Sequence, residues 1–182
     1  MSSQNVGEEL VGAYLQTVKR CEFVSYNLHT RDTQGEIDVV AINMKARTVY
    51  LCEVAIHLVT GLQYVSGGQP DNVRRLVSKF SKDIDYAKKY FRSYKKVFML
   101  WSPIVVNTRP GSKHNQRKDV DKIKKQLRKR KGIDLQIIIN EDFRACLEEL
   151  KEVALEETRV LKSPVMRLLQ IEAKLNDHLT TA

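Results

Sequence analysis

Two acidic side chains stand inside otherwise apolar runs of this chain: Asp38 in GEIDVVAIN and Glu53 in VYLCEVAIH. Side chains of a strand alternate between faces, so Glu53 shares a face with Val49, Leu51, Ala55 and His57, and Asp38 with Glu36, Val40 and Ile42. Paired side by side, the two runs bring both carboxylates within a few ångströms of each other. A buried carboxylate without a partner is destabilising by several kcal/mol, and either a basic side chain or a divalent cation offsets that. Two carboxylates with backbone carbonyls and water form a hard oxygen site suited to Mg²⁺ or Mn²⁺. A third acid, Glu8, opens an amphipathic segment beside Glu9 and is a candidate outer ligand. The plainer account of Glu8 is an acid complementing the positive end of a helix.

These residues need elements to hold them. Leu10, Val11, Tyr14, Leu15 and Val18 recur at helical spacing over 7–19. Strands are expected at 21–29, 36–43 and 48–57, with TRDTQG and NMKAR as turns between them. Gly, Ser and Pro make 59–72 a loop, with Asn72 as the cap of the next helix. From 73 to 91, Val73, Leu76, Val77, Phe80, Ile84, Ala87 and Phe91 form one apolar stripe. KKVFMLWSPIVV and IDLQIII read as buried strands on either side of a basic helix over 117–131. Two further helices, near 141–161 and 164–179, part at Ser163-Pro164. Helices alternating with strands in this order predict an α/β fold on a mixed sheet.

The 182 residues carry a net charge of +9. Much of the excess lies in KHNQRKDVDKIKKQLRKRK (113–131), where ten Lys and Arg face two Asp for a local charge of +8. A polyanion is the partner such a stretch implies, nucleic acid being the commonest; a solvated helix face is the plainer alternative. Candidate phosphate contacts are Lys113, Arg117, Lys118, Lys124, Lys125 and Arg128, with Arg109 in the preceding loop and Arg31 and Gln34 in the turn before Gly35. Cys21, Cys52 and Cys146 are widely spaced among apolar neighbours, the pattern of buried thiols in a reducing cytoplasm. No apolar run nears the ~20 residues of a membrane-spanning helix, and we expect neither a secretory leader nor a membrane partner.

Taken in order, GEELVGAYL (7–15), Asn27, GEID (35–38) and CEV (52–54) resemble the PD-(D/E)XK nuclease superfamily. Its small bacterial members related to Holliday-junction resolvases are the most similar, and the likeness covers roughly residues 7–106. The resemblance implies a restriction-endonuclease-like αβββαβ core with a mixed central sheet flanked by helices. Residues 1–140 would form that core, and 141–182 a C-terminal helical extension packed on it or used for association. It also implies that Asp38 and Glu53 hold Mg²⁺ or Mn²⁺, with the Val54 carbonyl as a further ligand and Glu8 completing the acidic cluster. The family's lysine stands two residues after that Glu, on the same face, where it orients or deprotonates the attacking water. Here that position is Ala55.

Some members supply the lysine from the helix that follows. At 100° per residue, Lys79 lies about 100° from Phe80, the middle of the apolar stripe, whereas Lys82 lies about 160° away and Lys89 points outward. Lys79 is thus the candidate replacement; the alternative is an ordinary pair with Asp83 on the helix flank. His57, Gln63 and Tyr64 are weaker candidates for substrate contact.

The activity implied is Mg²⁺-dependent endodeoxyribonuclease cleavage leaving a 5′ phosphate, with DNA or RNA as partner and a homodimer as a family-level expectation. Two rivals stay open. One is a nuclease fold that binds DNA but has lost catalysis. The other is an assembly module whose C-terminal helices offer Val165, Leu168, Leu169 and Leu175 to a partner.

Overall fold

A computed structural model describes residues 5–30, 35–108 and 114–181. Helix α1 (Val6–Thr17) is followed by a meander of β1 (Phe23–His29), β2 (Glu36–Asn43) and β3 (Thr48–Val54). A two-strand hairpin of β4 (Val65–Ser66) and β5 (Gln69–Pro70) leads into α2 (Asn72–Tyr90). Then come β6 (Lys95–Ser102), α3 (Gln116–Lys131), β7 (Gln136–Ile139), α4 (Glu141–Glu156) and α5 (Pro164–Thr181). The main sheet has five strands in the order β1-β2-β3-β6-β7. Its first three strands are antiparallel, and β3-β6 and β6-β7 are parallel.

Each parallel step needs a crossover, and α2 and α3 supply the two. Both lie on one face of the sheet, as crossovers of one hand advancing in one direction require. There Leu76, Phe80 and Ile84 of α2 and Val120, Ile123 and Leu127 of α3 pack over Leu51, Phe98 and Leu100. The opposite face is covered by α1 and α4, with Val11, Leu15, Phe143 and Leu150 over Val39, Cys52, Met99 and Trp101. The fold is therefore a three-layer α/β sandwich, with α5 added against α1 and α4. Among the described residues no helix is long and apolar enough to cross a membrane.

Local chemistry sets the ends. Asn5 caps α1 by accepting from Gly7 N at 3.0 Å. A Cβ on Gly12 would stand 2.1 Å from Tyr26 Oη, so this glycine lets α1 lie close enough to the sheet to aim its first turn at the strand ends. Ser163 opens α5, accepting from Met166 N and donating to Glu9 Oε1 at 2.7 Å.

Three local expectations are corrected. Strand β3 stops at Val54, not at 57, where its pairing with β6 ends; its pairing with β2 ends earlier, at Cys52. The segment 59–72 contains a hairpin, turned by Gly67 (φ 56°) and Gly68 (φ 75°), a left-handed pair that only glycine adopts freely. Asn72 does not cap α2; Asp71 occupies that position, and Asn72 is the first helical residue. Its buried amide instead ties the segment down, accepting from Tyr64 N at 2.7 Å and donating to Leu62 O at 3.0 Å.

Candidate active site

The β2-β3 ladder runs from Asn43 opposite Thr48 to Val39 opposite Cys52. One step further in the same register stand Asp38 and Glu53, and there the ladder opens. Val54 N donates to Asp38 Oδ2 at 2.7 Å, so a carboxylate replaces the backbone partner. On the other side, β1 and β2 pair Tyr26 with Val39 and Leu28 with Ile37, and no ladder pair joins Asn27 to Asp38 between them. Asn27 has φ 51°, an uncommon conformation outside glycine that asparagine tolerates better than most. It lies within β1, and its Nδ2 donates to Glu8 Oε2 at 3.0 Å. The β2-β3 ladder thus ends at Asp38, and the β1-β2 ladder is interrupted there for one pair.

Into this opening comes Lys79 of α2. Its Nζ lies 3.2 Å from Asp38 Oδ1 and also contacts Glu53 Oε2. The side chains of Glu53 and Asp38 are 1% and 14% exposed and that of Lys79 32%, so the ammonium plugs the site from the solvent side. Sequence spacing had singled out all three. They meet on the α2 face of the sheet, and Ala55, also buried on that face, occupies the position two residues after Glu53.

Sequence reading missed a fourth member. Asp83, one turn after Lys79, is not an exposed flank residue but is buried at 4% exposure, within hydrogen-bonding reach of Glu53. The signal was present: at 100° per residue Asp83 lies only about 60° from Phe80, nearer the stripe centre than Lys79. Burial pushes the Asp83 carboxyl up to about 7, against hydrogen bonding to Glu53 and the attraction of Lys79. Burial also raises Glu53 well above the usual carboxylate range, reinforced by repulsion from Asp38 and Asp83 and opposed by Lys79. For Lys79, burial works against the charge, but Glu53 and Asp38 outweigh it and the pKa rises. Glu8 is raised by burial, with Asn27 pulling it down and Asp38 pushing it up, so it borders the same acidic cluster.

Tyr64 roofs this region. Its hydroxyl is raised by burial, with Lys79, Glu53 and Asp38 all within electrostatic reach. Arg75 stacks over its ring at 4.9 Å, and His57 packs edge-on at 5.5 Å. His57 therefore lies past the strand end against an aromatic ring, not further along an extended β3.

Glu53 Oε1 and Oε2 are both buried without a well-aligned hydrogen-bond donor, and the Lys79 ammonium is the positive charge that meets them. Among the described residues, no three His, Cys, Asp or Glu side chains are placed to hold a metal ion by themselves, so any ion here would need backbone and water oxygens as well.

The basic residues are spread around α3. Arg117, Lys124 and Arg128 line a groove of about 640 Å³ against β7, with Arg128 3.5 Å from Asp134. Lys118 and Lys125 are exposed, and Lys122 and Arg130 line a second groove of about 790 Å³ against α2. The N-terminal end of α3 touches the roof of the acidic site. Asn72 Nδ2 donates to Asp119 at 3.1 Å and Gln116 Nε2 to Thr60 O at 2.7 Å. Arg31, Gln34, Arg109 and Lys113 lie outside the described residues.

Comparison of the chain with protein-family models, with curated proteins and with solved structures gives no match.

Proposed function

We propose that this protein is a metal-dependent nuclease of the PD-(D/E)XK type, acting on the phosphodiester backbone of DNA. The order of α1 to β3, then α2 and β6, supports a restriction-endonuclease-like αβββαβ core. The observation that carries the reading is the meeting of Asp38, Glu53 and Lys79 where the β2-β3 ladder ends, with Glu53 almost wholly buried. Apolar residues in place of buried charges are often as stable or more so, so structure alone gives little reason to keep these.

Asp38 and Glu53 would hold Mg²⁺ or Mn²⁺, with the Val54 carbonyl and Glu8 as further oxygens. A bound divalent ion supplies Lewis-acid stabilisation of the phosphate and a water of lowered pKa. Asp38 is oriented by the Val54 amide, which leaves Oδ1 facing the gap. Lys79 presents its ammonium to that same gap from the solvent side, within reach of an entering water or phosphate oxygen. Cations of α3 would hold backbone phosphates, giving salt-dependent binding with little base readout.

Cleavage of linear and branched DNA in Mg²⁺ or Mn²⁺ tests this. Asp38→Ala and Glu53→Ala should abolish it, and Lys79→Ala should reduce it sharply. Cleavage that persists in excess chelator refutes the mechanism. One observation favours a second reading, a fold that binds DNA without cutting it: Lys79 already neutralises the acid pair, and Ala55 stands in the family's lysine position. That reading expects salt-dependent DNA binding with no product at any metal concentration.

A further inference from the structure

Helix α2 carries a second cation one turn before Lys79. Arg75 precedes it by four residues, about 6 Å along the helix and about 40° around it, turned further from the apolar stripe. Lys79 therefore reaches down to the acids, while Arg75 is exposed and stays at the mouth of the site. The Arg75 guanidinium lies over the Tyr64 ring at 4.9 Å. That ring is a fixed platform. Tyr64 O accepts from Asp71 N and Tyr64 N donates to Asn72 Oδ1, both at 2.7 Å, which fastens the residue to the start of α2. Tyr64 also packs against the core, and His57 meets its ring edge-on.

The two neighbouring arginines differ in what holds them. Arg74 is engaged by Asp71, with Nε 3.0 Å from Oδ1, and by Ser66 Oγ at 3.2 Å. Asp71 is thus already paired, and among the described residues Arg75 takes part in no ion pair. Burial raises the Tyr64 hydroxyl, Lys79 and Arg75 pull it down, and Glu53 and Asp38 push it up, so the stacked arginine and the acids share one electrostatic environment. A guanidinium lying flat on a ring keeps its edge N–H groups free for an anion. Holding it there in advance also reduces the ordering lost when the anion binds. We propose that Arg75 binds a backbone phosphate of the nucleic-acid strand, the one next to the phosphate at Asp38 and Glu53, with Tyr64 as the positioning residue behind it. Stacked on Tyr64, Arg75 stands one turn short of the acids, which suits the next link of a strand laid along α2. This contact rests on the nuclease reading for the path of the strand, yet its detection does not need cleavage.

Anisotropy of a labelled DNA duplex of about 20 base pairs, titrated with the full chain in chelator at about 50 to 200 mM salt, measures binding alone. Arg75→Ala should weaken binding about 10-fold at the low-salt end and make the slope of log K against log salt shallower by about 1. Its thermal melt should not move, the side chain being exposed. Tyr64→Phe keeps the ring and should bind like the wild type. Tyr64→Leu removes the ring and should lose affinity, and adding Arg75→Ala to it should weaken binding by less than the sum of the two, since both remove one contact. An unchanged salt slope in Arg75→Ala overturns the proposal, as does a wild type without affinity for the duplex at the low-salt end. Strictly additive losses in the double variant overturn the role of Tyr64. Duplex binding as expected with no product in Mg²⁺ or Mn²⁺ would sink the nuclease reading and leave the phosphate contact standing. Cleavage with affinity and slope unchanged in Arg75→Ala would sink the contact alone.

Discussion

Replacing Lys79 with Met keeps most of the aliphatic stem but removes the positive charge that faces Glu53. At 3.2 Å from Asp38 Oδ1, in surroundings of effective dielectric near 20, one such contact is worth about 5 kcal/mol before desolvation. Removing one partner of a buried pair typically destabilises by 3–5 kcal/mol, because the other charge stays behind. With 32% of the Lys79 side chain exposed, screening favours the lower end, about 3 kcal/mol. For a chain of this size that is a fall in Tm of roughly 6–12 °C. The loss should appear at pH 8 and shrink at pH 5. Glu53 and Asp83 both have raised pKa values, so they carry protons in acid and need no counter-charge there. Divalent ions should act in the opposite sense. In the wild type an entering ion competes with the ammonium for the same oxygens; in Lys79→Met it does not. Mn²⁺ should therefore bind the variant at least about 10-fold more tightly, a gain of ~1.4 kcal/mol, and raise its Tm more than that of the wild type. Melts with chelator or Mn²⁺ at both pH values, with free Mn²⁺ counted by electron paramagnetic resonance, give all of these quantities. Equal melts at pH 8 would show that Lys79 does not stabilise the acid pair. Weaker Mn²⁺ binding in the variant would show that Lys79 and the ion are not rivals for one place.

Two more outcomes follow from the same groups. Asp83 titrates near 7 in the folded protein against an ordinary 3.8, so the folded state binds more protons than the unfolded chain between those values. Stability should fall as pH rises through that window and stay low above it; Asp83→Asn in chelator should flatten the slope, and an unchanged slope assigns it elsewhere. Asn72→Leu removes a buried amide that serves Tyr64 N, Leu62 O and Asp119. It should destabilise by roughly 2–3 kcal/mol and speed amide hydrogen exchange over 60–70 more than elsewhere; uniform exchange would mean that the hairpin is held by other contacts.

The layers of the fold were readable because each element carried a complete local signal. The α2 stripe from Val73 to Phe91 has one period and a clear polar back, and Gly132 (φ 69°) ends α3 as expected of a helix-terminating glycine. Asp38, Glu53 and Lys79 were legible for a different reason. Asp38 and Glu53 break the pattern of their own strands, and such violations gather where a site is built, whereas Lys79 came from the family likeness and its angle on α2. Asp83 escaped because its i,i+4 relation to Lys79 offers an adequate surface explanation, and spacing alone cannot tell a surface pair from a buried one. Asn72 escaped because its type and its place before a helix fit a cap, while its actual partners, Tyr64, Leu62 and Asp119, are fixed by tertiary contacts. Alanine at 55 and lysine at 79 are best understood together. A lysine at 55 would approach Glu53 along its own strand. The small Ala55 leaves the approach to Glu53 to α2, and a residue reaching over from a separate helix has a position that depends on how that helix packs. Its ammonium can then withdraw with a change in α2 or in side-chain rotamer without disturbing the strands that hold the two acids. Asp38 would keep its orientation in that case, because its Oδ2 is fastened by the Val54 amide.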